Sequence, residues 1–224
     1  MKHIKFQRAL FFTYVLVSFL VLMIFAIFFY QYMSKLLIER ELSSLSALNA
    51  SFASQTDAVI KDIDLTSANI NYSSLMQSKL DEDHEPDLSY DNLSELADLF
   101  VTINGSDIKS DQINFYSLEG KMARVGMITS MTTVTISELP WFNDTLLLGG
   151  KKMIGRPYAT DTYSKSAKYS EWLISLYRAY SNQYGQIVGA IETVKRCKSV
   201  FKSIISYQKG TKTDPASVYV FDEE

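Results

Sequence analysis

Helix breakers are scarce and late: the 224 residues hold 4 prolines and 9 glycines, and neither type occurs before Pro86. Nothing in the first 85 residues therefore interrupts a helix from within. Cysteine is nearly absent as well. Cys197 stands alone, which excludes an intramolecular disulfide and any cysteine-rich zinc site, and it reads as a small semi-apolar residue on a helix. Histidine is limited to His3 and His84, neither with a partner at i+4, so the zinc-helix pattern is missing. There is no G-x-S-x-G elbow, and "GGKKM" at 149–153 lacks the earlier glycine and the following Ser/Thr of a phosphate loop. Carboxylate pairs can always be chosen from 25 acids and identify nothing. No catalytic constellation is found, and the chain is expected to be neither an enzyme nor a cofactor carrier.

Charge is absent from one long stretch. From Ala9 to Tyr30 the chain runs "ALFFTYVLVSFLVLMIFAIFFY", 22 residues with no charge, glycine or proline. About 20 apolar residues in a helix cross the hydrocarbon layer of a bilayer. No small-residue cleavage site follows, so an uncleaved transmembrane helix over 9–30 is predicted rather than a signal peptide. The leader 1–8 holds Lys2, Lys5 and Arg8 and no acid, whereas the far flank opens with Lys35, Glu39, Arg40 and Glu41. The positive-inside rule then keeps the N-terminus in the cytoplasm of a single-pass cell-membrane protein and sends residues 31–224 outside. Of the 22 bases, 19 lie beyond the leader against 25 acids, so the exported part carries about six net negative charges and is a poor partner for nucleic acid.

Past the membrane, Ile38, Leu45, Phe52 and Val59 recur every seven residues. Leu42, Ile63 and Ile70 fall on the companion position, where Asn49 and Thr56 interrupt. This predicts a long helix over 33–80, continuous with the membrane helix, that packs along its own domain or pairs with a copy of itself in a homodimer. "DEDHEPDLSYDN" ends it as an acidic solvated turn. Pro86 and Asn92 stand where a calcium loop needs glycine and glutamate, so no metal is expected.

The rest changes character. "LSELADLFVTIN" reads as a short helix running into a strand, and "DQINFYSLEGKMARVG" as a hairpin turning at Glu119, Gly120 and Lys121. "ISELPWFNDTLLLGG" reads as a short helix capped by Ser137, with Pro140 in its first turn and Gly149 and Gly150 ending it. "EWLISLYRAY" and "GQIVGAIETV" are strands around a polar turn, and "RCKSVFKSIISY" is a helix with Val200, Phe201, Ile204 and Ile205 on one face. A β-rich run, "ASVYVFDEE", comes last. Helices covering an antiparallel sheet make an α+β domain over 81–210, with 211–224 as the start of a second, truncated subdomain. Five Asn-x-Ser/Thr sequons, at Asn49, Asn71, Asn92, Asn104 and Asn143, are what chance supplies in a chain so rich in serine and threonine.

The order of "LPWFNDTL", "GRPY", "ISLYRAYSNQYGQIVGAIETVKRCKSVF" and "VYVFD" behind a signal anchor and a long helix resembles the extracellular double Cache sensor region of bacterial two-component sensor histidine kinases. The matching part is that family's membrane-distal, PAS-like subdomain. The resemblance implies a small-molecule receptor whose pocket lies between the sheet and the short helix. Trp141 and Phe142 would close it from the helix, Arg156 and Tyr158 from the following loop, and Tyr116, Tyr177 and Arg178 from the sheet. Strand alternation allows only one of Tyr177 and Arg178 to face inward. The family's amino-acid-binding version has arginine two residues before the tryptophan, where this chain has Leu139, so an amino-acid ligand is not implied. Kinase activity would reside in domains beyond this chain. The same module on a chemotaxis receptor or a cyclase, and a membrane-anchored structural protein that binds nothing, are the alternatives.

Overall fold

The computed structural model describes residues 2–79, 90–104, 109–160 and 171–210. The acidic turn with His84 and the closing β-rich run 216–224 lie outside the described residues. The chain divides into two compact units, 1–53 and 54–224.

Helix α1 spans Lys2–Tyr72 and holds the whole of the first unit. Among the described residues it is the helix long and apolar enough to cross a membrane. Its side chains from Leu10 to Tyr32 are exposed on every side, Phe12 at 70% and Phe28 at 69%. A helix apolar all round is stable only inside lipid or protein. Further along, Ile38, Leu42 and Leu45 of the heptad stripe are also exposed.

In the second unit the same stripe turns inward, with Ile63 and Ile70 each 1% exposed. The helix ends sooner than the heptads predict. Ser73 interrupts it, and α2 (Ser74–Lys79) starts afresh with the Ser73 hydroxyl accepting a long 3.5 Å bond from the Met76 amide. Helix α3 (Tyr90–Asn104) corrects the expected helix-to-strand change in "LSELADLFVTIN". Leu96 and Phe100 are buried one turn apart, with Leu99 and Ile103 packed beside them. That 3.6-residue stripe outweighs the local β-preference of Phe-Val-Thr-Ile.

Among the described residues a seven-stranded antiparallel sheet follows: β1 (Gln112–Ser117), β2 (Lys121–Gly126), β3 (Ser130–Thr133), β4 (Lys152–Ile154), β5 (Tyr158–Thr160), β6 (Glu171–Ser181) and β7 (Ile187–Arg196). The order is β3-β2-β1-β7-β6-β4, with β5 also on β6. The β1–β2 hairpin turns where expected. Gly120 sits there at φ +86, and a Cβ would meet the Val134 carbonyl oxygen at 2.3 Å, so only glycine fits. The polar turn "SNQYGQ" joins β6 to β7, with Asn182 Oδ1 accepting from the amides of Tyr184 and Gln186.

Two short helices depart from expectation. Between β3 and β4 the chain makes a 3-10 turn (Ile136–Glu138) and then α4 (Phe142–Leu147). Ser137 therefore caps nothing; Trp141 holds the N-cap place without a side-chain bond, and Pro140 lies just before it. Gly149 (φ +58) and Gly150 (φ +87) do end the helix. After β7, "RCKSVFKSIISY" splits at Phe201 into α5 (Cys197–Val200) and α6 (Lys202–Gly210). Cys197 is half-buried, and burial pushes its thiol above the ordinary value.

One face of the sheet carries the core. Ile113 and Phe115 of β1, Ala123 of β2, Tyr180 of β6 and Ile191 of β7 pack with Ile70, Met76, Leu96 and Phe100 of the three helices. Phe100 stacks on Phe115 at 4.9 Å between centroids, and Tyr180 meets Phe115 edge-on at 6.0 Å. The Tyr180 hydroxyl is buried without a hydrogen-bond partner, and burial together with the Glu119 charge pushes its pKa well above the usual tyrosine range. An orphaned hydroxyl costs about 1–3 kcal/mol. Tyr180→Phe is expected to raise the unfolding free energy by about 1 kcal/mol in urea titration of the chain in detergent; a loss of stability would show that the hydroxyl is satisfied in solution.

Candidate ligand-binding site

Antiparallel register sorts the other sheet face residue by residue. Arg124 of β2 pairs with Asn114 of β1, Asn114 with Glu192 of β7, and Glu192 with Tyr177 of β6. Directly opposed residues share a face. The neighbouring rows place Met122, Tyr116, Ala190 and Ala179 on one side, and Gln112, Val194 and Ser175 on the other.

Glu192 lies at the centre, 5% exposed. Its Oε2 accepts from the Tyr116 hydroxyl at 2.6 Å and from Asn114 Nδ2 at 2.8 Å. Its Oε1 accepts from Ser175 Oγ at 2.6 Å and from the Tyr158 hydroxyl at 3.3 Å. Four converging donors, each a side chain, replace the water that a carboxylate loses on burial. Gln112 extends the polar floor by donating to Asn114 Oδ1 at 3.1 Å and bonding both the amide and the carbonyl of Ile128.

An aromatic cap covers one end of this floor. The segment from the 3-10 turn through α4 lays Leu139, Trp141, Phe142 and Leu146 on Tyr116, Met122 and Ala190. Trp141, half-buried, stacks on Tyr177 at 4.1 Å with 20° between planes and meets Tyr116 edge-on at 5.0 Å. Gly155 of "GRPY" abuts the Tyr177 ring, where a Cβ would stand 2.8 Å from Cε2. The arrangement offers a flat aromatic surface beside hydrogen-bonding groups, a combination that suits a small ligand with an apolar body and a polar end.

Of the residues singled out from the sequence, Tyr116, Trp141, Phe142, Tyr158 and Tyr177 come together here. Arg156 is exposed between β4 and β5. Arg178 is placed on the opposite face, 6% exposed, so of the two neighbours it is Tyr177 that faces the cap. Its Nε donates to Ser67 Oγ at 3.0 Å, and its other nitrogens bond the Gly150 carbonyl and the Asp64 carboxylate. One guanidinium thus joins α1, β6 and the loop that ends α4. Lys152 reaches the other Asp64 oxygen at 2.6 Å from a more exposed position. The sequence reading missed Glu192, Asn114 and Ser175. A charged residue inside the apolar strand "IVGAIETV" was the available signal.

No family profile matches the sequence, and no curated protein matches it. Solved structures do. The periplasmic sensory domain of the Campylobacter jejuni chemoreceptor Tlp1 is 14% identical, with a TM-score of 0.52 over 74% of this chain and 64% of that one. The extracellular domain of vpHK1S-Z8, designated a histidine kinase, is 13% identical, with a TM-score of 0.49 over 73% and 57%. The ligand-binding domain of the Pseudomonas aeruginosa PAO1 amino-acid chemoreceptor PctC, in complex with GABA, is 13% identical, with a TM-score of 0.48 over 70% and 65%. This chain spans less than two thirds of each of those domains. The likeness to the Tlp1 domain shows the fold: a long N-terminal helix followed by an antiparallel sheet.

Removing Asp64 would leave a buried guanidinium without its countercharge. Asp64→Ala is expected to lower the unfolding free energy by about 2 kcal/mol, and Lys152→Ala, at the solvent side, by less than about 1 kcal/mol. Equal effects in urea titration would show that Arg178 is not the dominant partner.

Proposed function

We propose that this chain is the extracellular ligand-sensing region of a membrane-anchored signal-transduction receptor, of the Cache type. The observation that carries the reading is the buried Glu192 carboxylate, with four side-chain donors, set beside a tryptophan–tyrosine stack. A protein with a purely structural role would fill this face with apolar side chains at lower cost. The sensory-domain fold supports the same reading, as does the resemblance of "LPWFNDTL", "GRPY" and the β6–β7 hairpin to Cache sensors. The apolar stretch of α1 is the anchor, with the basic leader in the cytoplasm. The exposed stripe of Ile38, Leu42 and Leu45 is where a second copy of the chain would pair.

The output of such a receptor lies in domains outside this chain. A sensor histidine kinase is the output that the order of motifs supports. A chemotaxis receptor is the second reading, supported by the fold shared with the Tlp1 domain.

Transmission follows from strand alternation. A ligand lodged against Trp141 bears on Tyr177, and the next residue, Arg178, grips Asp64 and Ser67 of α1 from the other face. Movement of β6 or of the α4 loop then biases one seating of α1, which runs without a break toward the membrane.

A thermal-shift panel of sugars, organic acids, amino acids and short peptides on the chain in lipid nanodiscs tests the binding reading, since a native-state ligand raises the melting temperature. A hit is expected to vanish in Trp141→Ala; a hit unchanged by that substitution would place the site elsewhere. In a complete receptor carrying this region, Ala50→Pro is expected to abolish signalling with ligand affinity within about twofold, because the kink interrupts α1 outside the sheet domain. Intact signalling would remove α1 as the transmitter.

A further inference from the structure

We infer that Arg124 is an anion-binding residue of the site, so that the ligand carries a small oxyanion, a carboxylate or a phosphate; this rests on the ligand-sensing reading above. Register puts Arg124 on the same sheet face as Glu192 and Tyr177, with Asn114 between. Its Nε is buried and has no hydrogen-bond partner. Leaving a buried donor of a charged group unmet is among the costlier defects a fold can keep, and retained defects of this kind mark sites completed by something else.

The neighbours do not complete it. The Asn114 amide is already used, donating to Glu192 and accepting from Gln112. Glu192 has four donors on its two oxygens and stands two strands away, about 10 Å between Cα atoms. No acid among the described residues pairs with Arg124, whereas Arg196, also on this face of the sheet, donates to Glu171 at 3.0 Å. Met122 and Gly126 flank Arg124 on its own strand and bring no acceptor side chain. A planar guanidinium with a free Nε–H presents the two-pronged edge that matches a carboxylate or phosphate. The ligand would lie along the row, its oxyanion at Arg124 and its apolar part toward Trp141.

The test uses the 224-residue chain in nanodiscs. Acetate, succinate, lactate and inorganic phosphate are compared by thermal shift with succinamide, propane-1,2-diol and glucose. In parallel, the Arg124 Nε resonance, assigned by its loss in Arg124→Gln, is followed during separate acetate and phosphate titrations. The expected result is a shift with one class of oxyanion, at least about tenfold weaker in Arg124→Gln and partly retained in Arg124→Lys, and a moving Nε resonance. The acetate and phosphate arms say which class it is. Stabilisation only by the uncharged compounds, or oxyanion binding unchanged in Arg124→Gln, would overturn the Arg124 assignment and leave the receptor reading intact. An immobile Nε resonance in both titrations would overturn it as well, and with no stabilisation by any compound the receptor reading would fall with it.

Discussion

Neighbouring residues on a strand point to opposite faces, and in β1, β6 and β7 both faces are covered, so each step along the chain alternates between hydrophobic core and candidate site. Phe115 stacks on Phe100 under the helices while Tyr116 meets Trp141 on the other side. Ile191 packs in the core, and Glu192 collects four hydrogen bonds on the site face. Tyr177 and Arg178 divide in the same way. A slip of one residue in any of these pairings would exchange the two sets and bury Arg178 under the aromatic cap, which is why the register is strongly specified.

Electrostatics is organised by that division. On the core face, one cation, Arg178, meets an acid, a hydroxyl and a carbonyl from three different elements. On the site face, the central charge is an acid whose donors are all neutral side chains, and a cation two strands away keeps an unmet donor. The first arrangement is closed and serves packing between α1 and the sheet. The second is half-closed, and it lies next to the flat surface of Trp141 and Tyr177.

Much of the fold was legible beforehand. The apolar run, the heptad stripe, the β1–β2 hairpin and the β6–β7 pair follow from periodicity and turn residues, which are local signals. The errors were equally local in origin. "LFVTIN" favours a strand by composition, yet Phe100 and Ile103 form a helical stripe once the sheet is there to receive it. Ser137 suits a helix cap by residue type, but the chain makes a 3-10 turn first and enters α4 at Trp141.

By itself, the sequence determined an apolar helix of membrane-crossing length, a long continuation of it, and the strands and hairpins of an antiparallel sheet. Composition and period suffice for these because they depend on residues close together in the chain. Only the tertiary structure decided which of Tyr177 and Arg178 faces the cap, that Glu192 is the centre of the polar floor, and that Arg124 lies in its row. Those depend on the pairing of β1 with β7 and of β7 with β6, between residues as far apart as Asn114 and Glu192, and the alternation of a single strand leaves the choice of face open until its partners fix it.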